Sequence, residues 1–175
     1  IQARSANVAV WTGDEIIVWG GSGDGGVYAD GAAYDVAAGT WRTVAPGPLT
    51  ARDSSSAVWT GDEVLIWGGQ ADGTEFADGA AYDPELDDWR LLPAGGPEPS
   101  GAPVAVWSGS EMIVIGGAYS GPRSPEAAAY DPAREVWTTL AAPPTPAAPG
   151  ATAVWARGAV YVLGLFDAGE NLGDV

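Results

Sequence analysis

Apolar and polar positions along this chain recur with one long period. Ala9 to Gly21 read AVWTGDEIIVWGG, Ala57 to Gly69 read AVWTGDEVLIWGG, and Ala105 to Gly117 read AVWSGSEMIVIGG. Trp11, Trp59, Trp107 and Trp155 are 48 residues apart, and Gly20, Gly68, Gly116 and Gly164 keep the same spacing. Tyr34, Tyr82 and Tyr130 follow it, as do Trp41, Trp89 and Trp137, with no insertion breaking the register. A fixed period of this length is the signature of a repeat architecture.

Each unit predicts four short strands. The first, around Val8–Thr12, ends in a Gly13-Asp14 turn, residue types that tolerate the positive φ of tight hairpins. The second, Glu15–Gly20, is an almost continuous apolar run (IIVW, VLIW, MIVI), as expected of a strand buried on both faces. The third carries GAAYD and the fourth starts at the second Trp column. Pro-rich connectors lead onward, and no segment has a capped helical period. The expected fold is all-β: four-stranded antiparallel blades at a 48-residue period, three complete and a fourth partial. Blade 1 is placed at about 6–45, blade 2 at about 54–93, blade 3 at about 102–141 and partial blade 4 at about 150–175, all within a single propeller segment, 1–175.

Blades of this size that bury their faces on their neighbours form a β-propeller. In detail the chain resembles the kelch-repeat family. The features that carry the resemblance are Gly20-Gly21, Gly68-Gly69 and Gly116-Gly117 after an apolar strand, and the pairs Tyr34/Trp41, Tyr82/Trp89 and Tyr130/Trp137. The Arg that often precedes the first kelch strand matches Arg4 and Arg52, whereas Ser100 and Ala148 stand in the later copies. The fourth copy departs further: Leu165 replaces the second Gly, and Arg157-Gly158 replaces the Gly-Asp turn. Family propellers close into rings, so this resemblance implies that the chain is a piece of a longer propeller. Further blades of that chain, or a second copy, are expected to complete the ring.

Composition narrows the function. The chain has 175 residues with 26 Gly, 14 Pro and 9 Trp, no Cys, no His, and only Arg among its basic residues. A net charge of −16 repels nucleic acid and anionic membrane surfaces. No apolar run is long enough to span a bilayer, so membrane insertion is not expected. Without His or Cys there is no Ser-His-Asp triad, thiol nucleophile or imidazole ligand set. The copper chemistry of kelch-type oxidases is therefore excluded within these residues. Kelch-type sialic-acid mutarotases use Arg and Glu, for which Arg52, Arg123, Glu98 and Glu126 are the comparable side chains here. From the Lys-free, Ala/Gly/Arg-rich composition alone a GC-rich bacterial source is expected, with an extracytoplasmic setting as the weaker expectation.

All nine Trp fall in repeat columns and read as packing. The Gly pairs read as sites of close strand approach, since no helix follows them to cradle a phosphate. Because strands alternate in direction, the loops after strands one and three share one face, where Asp14, Glu15, Asp35, Glu63, Asp87 and Glu135 read as turn formers and solubilising charge. The loops Ser22–Asp30, Gln70–Asp78, Ala118–Glu126 and Phe166–Asp174 share the other face with the connectors. There the columns keep their length and lose their identity, which suits a binding surface on a rigid scaffold. The candidate ligand contacts are Tyr28, Arg52, Asp72, Glu75, Phe76, Glu98, Tyr119, Arg123 and Glu126. No catalytic residue and no cofactor is assigned. The Asp24-Gly25 and Asp72-Gly73 steps could offer oxygens to Ca2+, although their spacing is not that of an EF-hand loop. The expected function is a non-catalytic binding or scaffold module for a protein or polysaccharide. Part of a larger enzyme propeller, carbohydrate-active or epimerase-like, is the alternative, and a spacer is a third reading.

Overall fold

The computed structural model describes residues 1–116, 126–143 and 147–165. Unit 1 comprises β1 (Val8–Trp11), β2 (Glu15–Trp19), β3 (Ser22–Gly23), β4 (Gly26–Val27), β5 (Gly31–Asp35) and β6 (Thr40–Thr43). Unit 2 comprises β7 (Ser56–Trp59), β8 (Val64–Trp67), β9 (Gln70–Ala71), β10 (Thr74–Glu75), β11 (Gly79–Asp83) and β12 (Asp88–Leu91). Unit 3 has β13 (Val104–Trp107), β14 (Met112–Ile115), β15 (Ala127–Asp131) and β16 (Val136–Leu140). Unit 4 contributes β17 (Ala147–Ala156) and β18 (Ala159–Leu165).

Three four-stranded antiparallel sheets result, ordered β1-β2-β5-β6, β7-β8-β11-β12 and β13-β14-β15-β16, followed by the β17-β18 pair. The first strands of successive units lie side by side, β1 on β7, β7 on β13 and β13 on β17. This is blade-on-blade packing of a propeller whose ring is not closed. Among the described residues there is no helix, so none crosses a membrane.

Burial follows position in the stack. In unit 2, Val64 to Trp67 of β8 are at most 1% exposed, because sheets cover both faces. In β2 of unit 1 the same columns alternate, with Ile17 and Trp19 buried and Ile16 and Val18 half-exposed, because only one face is covered. Val8, Ile17, Trp19 and Ala33 of unit 1 form one core with Val64, Ile66, Ala80 and Tyr82 of unit 2. Leu65 and Trp67 of unit 2 form the next with Met112, Val114 and Tyr130 of unit 3. The second Trp column joins each pair. Trp89 meets Trp19 at a ring-centroid distance of 5.9 Å and Trp137 meets Trp67 at 4.5 Å. Their indole N–H groups donate to the carbonyls of Ala45 and Pro93 in the preceding unit, at 2.8 and 3.0 Å.

The Gly pairs do permit close approach. Gly20 and Gly21 sit at φ +66° and +89°. A Cβ on Gly20 would stand 2.8 Å from the carbonyl oxygen of Arg52, and one on Gly21 would stand 2.7 Å from that of Ser5. Each Asp after the repeated Tyr accepts from the turn that follows: Asp35 from Ala38 N–H at 2.8 Å, Asp83 from Glu85 at 2.8 Å and Asp131 from Ala133 at 2.9 Å.

Two features differ from the four-strand expectation. The segment read as loop after the second strand folds in units 1 and 2 into a small hairpin, β3–β4 and β9–β10. At the second tip Asp72 and Gly73 both take positive φ, +49° and +80°, as a two-residue primed turn requires. The acids of the opposite face do more than form turns. Glu15 holds Arg42 through two bonds of 2.9 and 2.6 Å, and Arg42 reaches across to the Tyr82 hydroxyl at 3.1 Å. Tyr82 donates to Asp87 at 2.7 Å, and Asp87 also accepts from Ala45 N–H at 3.0 Å. The same clamp links units 2 and 3 through Glu63, Arg90, Tyr130 and Glu135. In unit 3 the Arg column holds Thr138.

Candidate functional site

The hairpins β3–β4 and β9–β10 rise from the face formed by the loops after strands two and four. Each is anchored at both ends. Tyr28 N–H donates to Gly21 O at 2.8 Å and Phe76 N–H to Gly69 O at 3.0 Å, while bridges Ser5–Ser22 and Asp53–Gln70 tie each hairpin to the segment before the first strand. Between the two hairpins lies a groove of about 550 Å3. Val27, Ala71, Asp72 and Phe76 line its walls, with Thr50 and Ala51 of the connector beneath.

An arginine clamp supports each hairpin. Arg52 is fully buried. Its guanidinium meets both oxygens of Asp78, at 2.6 and 3.2 Å, the carbonyl of Gly68 at 3.2 Å, and the carbonyl and hydroxyl of Thr50 at 3.0 Å each. It lies 4.1 Å from the centre of the Phe76 ring, a cation–π contact. Arg4 repeats the pattern with Asp30, Gly20 O and the Tyr28 ring, the last at 4.4 Å. The Arg4 guanidinium holds the Asp30 carboxyl below its ordinary range. In unit 3, Ser100 is buried at the Arg52 position and Glu126 stands at the Asp78 position.

The candidates therefore separate. Arg52, expected to contact ligand, is turned inward: its donors are spent on the protein, and it shapes the groove from behind. Tyr28 is half-buried against Arg4, and its hydroxyl accepts from Gly25 N–H at 3.3 Å. Asp72 is exposed at the hairpin tip, with Glu75 on β10 and half-buried Phe76 beside the groove. Glu98 and Glu126 meet on the next unit, where Glu98 N–H donates to a Glu126 carboxylate oxygen at 3.2 Å. Tyr119 and Arg123 lie outside the described residues. Sequence reasoning passed over Val27, Ala51 and Ala71, small apolar residues with no chemistry of their own. Arg4/Asp30 and Arg52/Asp78, each 26 residues apart, were the legible trace of the clamps.

A second cleft, of about 360 Å3, opens on the opposite face between units 1 and 2, where Trp59 adjoins Asp14, Asp62, Asp83 and Glu85. Beside it the clamp perturbs its members. Burial pushes the Tyr82 hydroxyl up to about 12, against the pull of Arg42. The Ala45 N–H, followed by the Tyr82 hydroxyl, holds the Asp87 carboxyl below its usual range. Among the described residues no three acids converge as metal ligands would.

The family profile described as the KLHDC2/KLHL20/DRC7 Kelch-repeats domain matches residues 6–175. Comparison with curated proteins gives no match.

Proposed function

The chain belongs to the kelch-repeat family, and on that premise we propose that it is a recognition module whose ligand docks across the hairpins β3–β4 and β9–β10. Kelch-repeat domains generally bind proteins. The ligand proposed here is a protein segment or a polysaccharide laid in the groove between the hairpins. One observation carries the reading. The two hairpins have the same anchors and the same buried arginine supports, yet Val27 and Glu75, and likewise Gly26 and Thr74, occupy equivalent positions. A fixed frame with divergent exposed residues is how a rigid scaffold presents a specific surface.

The test is a panel of displayed peptides and immobilised glycans screened against the chain. Any binder is then re-measured on two variants, Asp72→Arg with Phe76→Ala in the groove and Asp62→Arg with Glu85→Arg in the opposite cleft. Loss of binding in the groove variant alone, with unchanged circular dichroism, supports the proposal. Loss confined to the opposite-cleft variant refutes it.

A further inference from the structure

The groove between the hairpins continues past its own wall. Beyond Val27 and Ala51, which line both spaces, a second hollow of about 500 Å3 is bounded by Ala29, Val44 and Pro46. Both hollows lie between units 1 and 2. Their surface comes largely from Val27, Ala29, Pro46, Ala51, Ala71 and Phe76, side chains that offer no hydrogen bond. A sugar hydroxyl pressed against them would give up water without gaining a partner. No Trp lines either hollow, and the Tyr28 and Phe76 rings already carry a guanidinium on one face, at 4.4 and 4.1 Å. Such a surface favours apolar side chains over a sugar ring.

Charge adds a second requirement. Every arginine of units 1 and 2 and their leading segments is committed: Arg4 to Asp30, Arg42 to Glu15, Arg52 to Asp78 and Arg90 to Glu63. Each hairpin raises one further carboxylate at its tip, Asp24 between β3 and β4 and Asp72 between β9 and β10. Both are exposed, and among the described residues neither pairs with an arginine. Asp72 also lines the groove, so the mouth is negative above an apolar floor. In a chain of net charge −16, that mouth repels an acidic segment and attracts a basic one.

We infer that the groove takes a basic, apolar peptide segment of a partner protein. Apolar side chains fill the two hollows on either side of Val27, and a lysine or arginine faces the tip carboxylates of Asp72 and Asp24. The inference rests on the hairpin groove being the docking site and names the chemistry of what docks there. A polysaccharide or an acidic segment satisfies neither the floor nor the rim.

Random peptides displayed on phage, with neutral and acidic polysaccharides immobilised in parallel, are selected against the full chain. Enriched peptides are expected to combine Lys or Arg with Leu, Ile, Val or Phe, and no polysaccharide is held. One enriched peptide is then synthesised and titrated. Asp24→Asn with Asp72→Asn removes both tip charges and keeps a turn-forming residue type. It weakens binding about tenfold at about 0.05 M NaCl and less than about twofold at about 0.5 M, where exposed pairs are screened. Asp62→Asn with Glu85→Gln takes the same charge from the opposite cleft and leaves affinity within about twofold. Val27→Glu gives unit 1 the residue type that unit 2 already carries at Glu75, so the hairpin still forms. It adds negative charge yet weakens binding at least about tenfold, because the hollows lose their shared apolar wall. Replacing the basic residue of the peptide with Gln abolishes the effect of the tip variant. Enrichment of acidic peptides or a polysaccharide, lost on Asp72→Arg with Phe76→Ala, overturns this inference and leaves the groove as the docking site. Tighter binding to Val27→Glu overturns it too, since charge alone would then hold the peptide. A basic peptide unaffected by any of these groove variants, or a selection that enriches nothing, overturns both readings.

Discussion

Replacing Arg52 with alanine tests whether the hairpins are supported as described. The guanidinium is fully buried and makes five hydrogen bonds, two of them to Asp78. Removing one member of a buried ion pair costs about 3–5 kcal/mol, mainly because its partner charge is stranded. Here the Asp78 side chain is 51% exposed and can be rehydrated, which places the loss at the lower end. Stacking on Phe76 is lost as well, and the Gly68 carbonyl loses one of its two side-chain donors, keeping the Ser55 hydroxyl at 3.0 Å. The expected cost is about 3 kcal/mol, a large part of the roughly 5–15 kcal/mol that holds a domain folded. Urea unfolding of wild type and variant at neutral pH, followed by tryptophan fluorescence, measures it through the shift in midpoint. Arg52→Lys should fall between the two, since an ammonium cannot span both carboxylate oxygens. A loss below about 1 kcal/mol for the alanine variant would refute the reading of Arg52 as a structural support, because only an exposed pair is worth so little.

The contacts between units give further expectations. Trp89→Ala removes a ring packed on Trp19 and Tyr82 and a bond to Ala45 O, so denaturant titration should show a loss of about 3 kcal/mol. Tyr82 has a folded pKa raised to about 12, against about 10 in the unfolded chain. Its contribution is thus complete below about pH 10 and disappears as pH rises toward about 12. Absorbance titration at the phenolate band should show this tyrosine ionising late, and Tyr82→Phe should remove that part of the alkaline loss. Asp87 has its folded pKa lowered by Ala45 N–H and Tyr82, so its contribution is present above its unfolded value near about 4 and falls away in acid. Asp87→Asn should flatten the acid limb of a stability-against-pH curve.

The chemistry of the columns was readable in the chain, whereas their partners were not. A period of 48 residues, a buried apolar second strand and the Gly-Gly, Tyr and Trp columns fix an all-β repeat, because each recurring residue type answers a local demand. Gly20 needs positive φ, Asp83 caps its own turn, and the second strand needs apolar side chains on both sides. The hairpins β3–β4 and β9–β10 escaped because four residues of short, polar sequence carry no period long enough to recognise.

Folding decided what depends on distance across units. Arg52 and Glu98 looked alike as charged residues of connectors on the same face, yet packing sank one beneath Phe76 and left the other in water. Glu15 and Arg42, 27 residues apart, pair within one sheet, but Arg42 and Tyr82, 40 apart, lie on successive sheets, so the stacking of one sheet on the next is what completes the clamp. Sequence by itself determined the strands and the blade, since those follow from backbone conformation and the burial pattern of single residues. The tertiary structure decided which side chains are buried supports and which line the open groove, because that depends on the low-dielectric interior created when blades meet.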